Sequence, residues 1–263
     1  MKQFLLLMVL LCCSVLSCCA APVSVNYENG IYHIVLKGEK IKKKMKFAVS
    51  ENLITNKEAH IKSGARLTVN AGFFDPENAK TISYVVTDRQ TAADPLFNEN
   101  LMNNPVLRRN IDKVINRTEF RLIECDNKYH YEITPHKSAV DFGCNIISSC
   151  QGGPLIYPEL RLEEEFFIVR QDGKVIRESA SVLHRTARTV IGLKGTDEVH
   201  ILIITKENPM DMYEVQAYCR ELGLDRAMGF DGGGSTSMNY LNKYSVTSEG
   251  DGRSLKSFLL ISK

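Results

Sequence analysis

At 263 residues, with 44% hydrophobic and 24% charged side chains, the chain can bury the core of one large domain or two small ones and lacks the signature of disorder. Its formal net charge of +2 sets up no global basic field, so nucleic acid is not an expected partner. Trp is absent, which argues against an extended stacking platform for glycans.

Residues 1–20 have the form of a targeting segment. Lys2 supplies the positive start, and the apolar run from Phe4 to Val15 is too short to span a membrane comfortably. Val15-Leu16-Ser17-Cys18 has the form of a bacterial lipobox, which would make Cys18 the lipidated first residue of the mature chain; cleavage near Ala20 or Ala21 is the alternative. Both readings export the protein, to the periplasm or the cell surface, with membrane contact only through a lipid at Cys18. Four cysteines remain in the body. Export permits disulfides, and Cys125 is expected to pair with Cys144 or Cys150, the alternative being that all four are free, buried small hydrophobes. No Cys or His spacing fits a zinc site, and neither metal nor cofactor is expected.

Residues 21–60 read as an N-terminal hairpin region. Alternating runs at 31–36 and 45–49 flank the lysines of 40–46, taken as a solvated turn, and a short helix or irregular segment follows at 52–64. Residues 61–263 read as the main domain. A strand at 66–69 ends in Asn70-Ala71-Gly72-Phe73-Phe74-Asp75-Pro76, where Gly72 permits a tight turn and the two Phe side chains anchor it. An extended segment at 81–98 precedes a helix opened by Asn104 and Pro105, and strands at 120–125 and 129–134 pair across Asp126-Asn127.

Gln151-Gly152-Gly153-Pro154 is a second glycine corner, and Glu163-Glu164-Glu165 reads as a solvated face. His184-Arg185-Thr186-Ala187-Arg188 then leads into the clearest hairpin, Val190 to Thr205, placing three cation-capable side chains at the mouth of a strand. Asp211 caps a helix with Glu214 three positions on and Gly223 as its stop. A strand at 224–230 presents Asp231, followed by Gly232-Gly233-Gly234-Ser235-Thr236, where backbone amides and short hydroxyls surround one carboxylate. The run at 257–261 closes the domain. The expected fold is a single α+β (or α/β) domain with a mixed, largely antiparallel sheet curled into a half-barrel, flanking helices, and the site on loops at one end. Nothing in the pattern indicates an oligomeric state.

Taken in order, Asn70-Ala71-Gly72-Phe73-Phe74, Gly152-Gly153-Pro154, Ala187-Arg188-Thr189-Val190-Ile191-Gly192 and Asp231-Gly232-Gly233-Gly234-Ser235 resemble the motif series of the phosphodiester glycosidase family. Two departures stand out: Ala71 replaces a glycine, and the His-Pro-Arg-Thr form of bacterial members is replaced by residues 184–189. The resemblance implies hydrolysis of a sugar-1-phosphodiester to free sugar and a phosphomonoester. Strong general-acid help is less necessary for such a leaving group than in an ordinary glycosidase; phosphate charge must be stabilised and a carboxylate must serve the anomeric carbon or the water. Asp231 is the expected base or nucleophile, with Asp75 its rival. Arg188, Arg185 and the amides of Gly232, Gly233, Gly234 and Ser235 are expected to hold phosphate. His184 would orient phosphate or carry a proton, and Asn70 would hold sugar hydroxyls, with Gly72, Gly152, Gly153 and Thr236 shaping the substrate site. The competing class is a phosphosugar-binding surface protein without turnover, and a metal-dependent phosphodiesterase ranks third.

Overall fold

A computed structural model describes residues 22–263 apart from Asn242. Residues 1–20, read from the sequence as a targeting segment that includes Cys18, lie outside the described residues. The strand runs assemble into sheets of six, five and five strands and a two-stranded ribbon, and every ladder among the described residues is antiparallel. The sheets stay open, without closing into a barrel.

Alternation along the strands divides the core. In the hairpin Arg188–Lys194 and Glu198–Ile204, residues Ile191, Leu193, Ile201 and Ile203 enter a central cluster, with Phe47 and Leu259 from one five-stranded sheet and Phe120 from the other. Val190, Leu202 and Ile204 point to the opposite face, where helix Met212–Glu221 covers them with Val215 and Cys219. Both faces of the hairpin are therefore buried, which explains its near-continuous apolar sequence. Gly192 suits this packing, because a Cβ there would lie 2.6 Å from Leu224 Cδ1 and 3.1 Å from the Arg226 carbonyl oxygen. Helix Asn56–Ser63 opens with a Thr55–Glu58 capping box and covers the far face of one five-stranded sheet, where Ala59 lies with Phe258 and Leu260.

The structure corrects three local expectations. Ile31–Lys37 and Met45–Ile54 do not pair across a basic turn: the first joins Glu198–Ile204 in the six-stranded sheet, and the second joins Leu255–Ile261 in a five-stranded sheet. Between them, Glu39–Lys42 forms a helical turn and Lys42 is buried, its ammonium shared by Glu39, Asp197 and the Tyr129 carbonyl. The segment around Asn104 is three short helices, Glu99–Asn103, Pro105–Arg109 and Ile111–Ile115, interrupted where Asn104 and Asn110 leave helical geometry. Glu165 is buried, accepting hydrogen bonds from the Thr118 amide and hydroxyl and the Leu155 amide. It satisfies polar groups at the Gly153-Pro154 corner, and its partners are too distant in sequence to be seen in a run of three glutamates.

Candidate active site

The segment 230–236 carries the chain from strand Arg226–Gly229 of the six-stranded sheet to strand Ser237–Tyr240 of a five-stranded sheet. Backbone bonds fix the crossing: Phe230 N–H donates to the Thr189 carbonyl at 2.8 Å, Asp231 N–H to Ala71 at 2.9 Å and Gly233 N–H to Ala187 at 2.8 Å. Asn70, buried at the end of strand Leu67–Asn70, ties the same three segments together. Its amide donates to the Asp231 carbonyl at 2.6 Å, and its Oδ1 accepts from Thr189 Oγ1 at 2.7 Å and from Ser237 N–H at 3.0 Å. Asn70 thus holds the loop from behind, with its polar atoms engaged by protein.

Asp231 is the most perturbed carboxylate in this loop. Burial pushes its pKa up to about 6, against the opposing pull of the Ser235 hydroxyl, the Arg253 charge and the Gly232 amide. The Ser235 hydroxyl faces the carboxylate without reaching full hydrogen-bond geometry. Ser235, Thr236 and Ser248 are all buried, and none of their hydroxyls has a hydrogen-bond partner. An unpaired buried hydroxyl costs roughly 1–3 kcal/mol, and all three belong to the loop that carries Asp231 or to the turn that begins at Ser248. Arg253 is exposed, and its guanidinium rests 5.5 Å from the ring centre of buried Phe74, so the Asn70–Phe74 turn also places a cation beside Asp231.

The expected anion cradle of amides is largely committed. Gly232 N–H is directed to Asp231 itself, Gly233 N–H to Ala187, Ser235 N–H to Gly232 and Thr236 N–H to Gly233. Among the described residues, the side-chain donors without a partner around the loop are the three buried hydroxyls and, at the surface, the Arg253 guanidinium. Gly232 and Gly233 are needed by geometry instead: a Cβ on Gly232 would lie 3.1 Å from the Ala187 carbonyl oxygen, and Gly233 has φ 58°.

Other candidate residues stand around this corner in different ways. Arg188 is buried, and its guanidinium binds the carbonyls of Met210, Ala180, Ser181 and His184. Burial lowers its pKa to about 10, so it stays cationic while organising the 180–185 loop. Its stem passes 3.7 Å from where a Gly232 Cβ would be, behind the site loop. His184 is exposed and bonds Glu178 at 3.1 Å, and Arg185 bonds the Pro209 carbonyl and Glu214. Asp75 caps its own turn, accepting from the Glu77 amide and from Asn100 Nδ2, each at 2.9 Å. Gly72 packs on Ser83 and Cys150, while Gly152 and Gly153 give the close approach of their corner to Met228, Gly229, Glu165 and Phe167. None of these side chains hydrogen-bonds the Asp231 carboxylate.

Three residues at the site were not singled out by sequence: Ser248, Glu249 and Arg253. They belong to the turn Ser248-Glu249-Gly250-Asp251-Gly252-Arg253, whose paired glycines and acids were the available signal. Glu249 lies over the loop, because a Cβ on Gly234 would collide with its Oε2 and lie 3.2 Å from its Cδ.

A phosphodiester glycosidase family model matches residues 63–262. The chain belongs to the phosphodiester glycosidase family. No curated protein gives a significant sequence match. Three solved structures share the fold. The catalytic domain of zebrafish N-acetylglucosamine-1-phosphodiester α-N-acetylglucosaminidase, auto-inhibited by its pro-peptide, is 12% identical with a TM-score of 0.63 over 92% of this chain and 81% of that one. A hypothetical protein from Synechocystis is 11% identical, with a TM-score of 0.58 over 92% of this chain and 64% of that one. A Burkholderia pseudomallei protein described as exported is 12% identical, with a TM-score of 0.60 over 89% and 74%. The family match spans the Asn70 turn, the Gly152 corner, the Arg188 strand, the Asp231 loop and the Ser248–Arg253 turn.

Proposed function

We propose that this phosphodiester glycosidase is an exported hydrolase that releases a sugar, N-acetylglucosamine or one like it, from a sugar-1-phosphodiester and leaves a phosphomonoester on the former partner. The observation that carries the reading is Asp231, poised near pH 6 at a corner with three unpartnered hydroxyls and the Arg253 cation. Such a carboxylate suits proton transfer close to neutrality, and Arg253 with the hydroxyls suits the phosphate. Asn70 and Arg188 position this machinery from behind. The kind of sugar is taken from the activity in the zebrafish protein's name. Export is supported by the sequence of residues 1–20 and by the Cys125–Cys144 disulfide, and anchoring would run through Cys18. No helix among the described residues is long and apolar enough to cross a membrane.

The test is turnover by the purified mature chain on UDP-N-acetylglucosamine and on an N-acetylglucosamine-1-phospho-6-(methyl mannoside), beside Asp231→Asn, with and without chelator. Free sugar from the wild type, lost in the variant and indifferent to chelator, is the expected result. Saturable binding with no sugar released would replace hydrolysis by recognition, and loss of activity in chelator restored by a divalent ion would bring back the metal-dependent reading.

A further inference from the structure

We propose that Glu249 is the second catalytic carboxylate of this site, the base that activates water at the anomeric carbon, while Asp231 serves the departing phosphate. The proposal rests on the glycosidase reading above and divides its chemistry between two residues.

The backbone of Glu249 is fixed from both sides. Strand Tyr244–Thr247 pairs with Ser237–Tyr240 in a register that sets Thr247 opposite Ser237, and Ser248 N–H then donates to the Thr236 carbonyl at 3.1 Å. Beyond it, Gly252 N–H donates to the Glu249 carbonyl at 2.7 Å and Thr247 Oγ1 to the Gly250 carbonyl at 2.9 Å. Gly250 and Gly252 take φ of 44° and 103°, the left-handed region that lets so short a turn close. The side chain therefore reaches Gly234 from a defined anchor. Its carboxylate occupies the space that any side chain at 234 would need, and it makes no hydrogen bond or ion pair among the described residues.

A carboxylate on an exposed turn is by itself unremarked chemistry. Here it shares a corner with the buried, unpartnered hydroxyls of Ser235, Thr236 and Ser248, and Ser235 faces Asp231 from the same turn of chain that Glu249 covers. The two acids live in unlike surroundings: Asp231 is partly buried and desolvated at the end of its strand, whereas Glu249 is exposed and meets water. A partly buried acid and a solvent-facing carboxylate on one corner supply the two groups that hydrolysis with a separate acid and base requires.

In the step, a water oxygen bonds to the anomeric carbon and its proton passes to Glu249. The bond from that carbon to the bridging phosphate oxygen breaks, and the electron pair stays on the phosphate, beside Arg253. Protonated Asp231 gives its proton to that oxygen, so the phosphomonoester leaves as a monoanion. Both acids then re-equilibrate with solvent. Water is divided between sugar and phosphate, and no other reactant is consumed.

The experiment compares wild type, Glu249→Gln, Glu249→Ala, Gly234→Ala and Asp231→Asn on the N-acetylglucosamine-1-phospho-6-(methyl mannoside), with unfolding midpoints as a control. Glu249→Gln is expected to lower kcat roughly 100-fold or more with KM within about threefold, the scale of lost general-base catalysis. Gly234→Ala, which puts a methyl where the carboxylate lies, is expected to reproduce much of that loss with Glu249 intact. Added azide, which attacks without needing a base, is expected to restore turnover in Glu249→Ala and yield a glycosyl azide. Near-wild-type kcat in Glu249→Gln, or a loss that azide does not rescue, overturns the proposal while leaving the glycosidase reading intact if the wild type still turns over. Absence of turnover in the wild type itself sinks that reading, and this one with it.

Discussion

Asp231 illustrates how an ionisable group is held against the preference of the fold. Its pKa of about 6 lies above that of an aspartate in the unfolded chain, near 3.9, so the folded state binds this proton more tightly. The penalty is absent below about pH 4, grows as pH rises toward about 6 and is complete above it, reaching about 3 kcal/mol. Asp231→Asn is therefore expected to be more stable than wild type in urea melts at pH 8, to lose that advantage near pH 4, and to be inactive throughout. With Asp231 as proton donor, kcat/KM is expected to fall about tenfold per unit as pH rises beyond about 6. A limb that persists in a variant with another group at 231 would assign that titration elsewhere. Asn70→Ala removes three hydrogen bonds that join Asp231, Thr189 and Ser237, and a loss of about 2–4 kcal/mol is expected from denaturant midpoints.

At the scale of loops and strands, Arg188 converts the 180–185 loop from a free excursion into a fixed wall. Its planar fork reaches four carbonyls, which a lysine cannot match. Arg188→Lys is expected to cost about 2–4 kcal/mol and to speed limited proteolysis between Ala180 and Arg185, with unchanged cleavage counting against this role. Local elements were legible in the sequence where their signals are local. The Thr118–Cys125 and Lys128–Pro135 pair announced itself by alternation around Asp126-Asn127, and the Met212–Glu221 helix by Asp211 and Glu214. The Asp231 loop stands out in the sequence because glycines and hydroxyls crowd one acid. Glu249 escaped because a turn of Gly, Asp, Glu and Ser is also what an ordinary solvated turn looks like, and Gly234, its neighbour in space, lies fifteen positions earlier. The uses of Asn70 and Arg188 escaped for a related reason: residue type indicates what a side chain can bond, while its partners are set by sheets that meet only on folding.

Across the whole molecule, the sheets are joined chiefly by the central cluster. Phe47 is buried between Phe120 and Phe230, with ring centres 5.9 and 5.8 Å away, and so couples the two five-stranded sheets to the strand that leads into Asp231. Phe47→Ala is expected to cost about 3–5 kcal/mol and to lower activity through the displaced loop, whereas Phe47→Leu should keep most of both. The Cys125–Cys144 bond lies at the end of its strand pair opposite the Gly152 corner, closing a separation of 19 residues. Reduction is expected to lower the thermal midpoint by the equivalent of about 3 kcal/mol and to leave kcat unchanged.

The strand Leu255–Ile261 lies inside its sheet, with Met45–Ile54 on one side and Leu67–Asn70 on the other. During synthesis, then, the strand that bears Asn70 has no partner on that flank until residue 261 has left the ribosome. The flank of the strand that carries Asn70 is therefore completed late, by a segment far downstream in the sequence, and local folding alone cannot assemble the corner around Asp231.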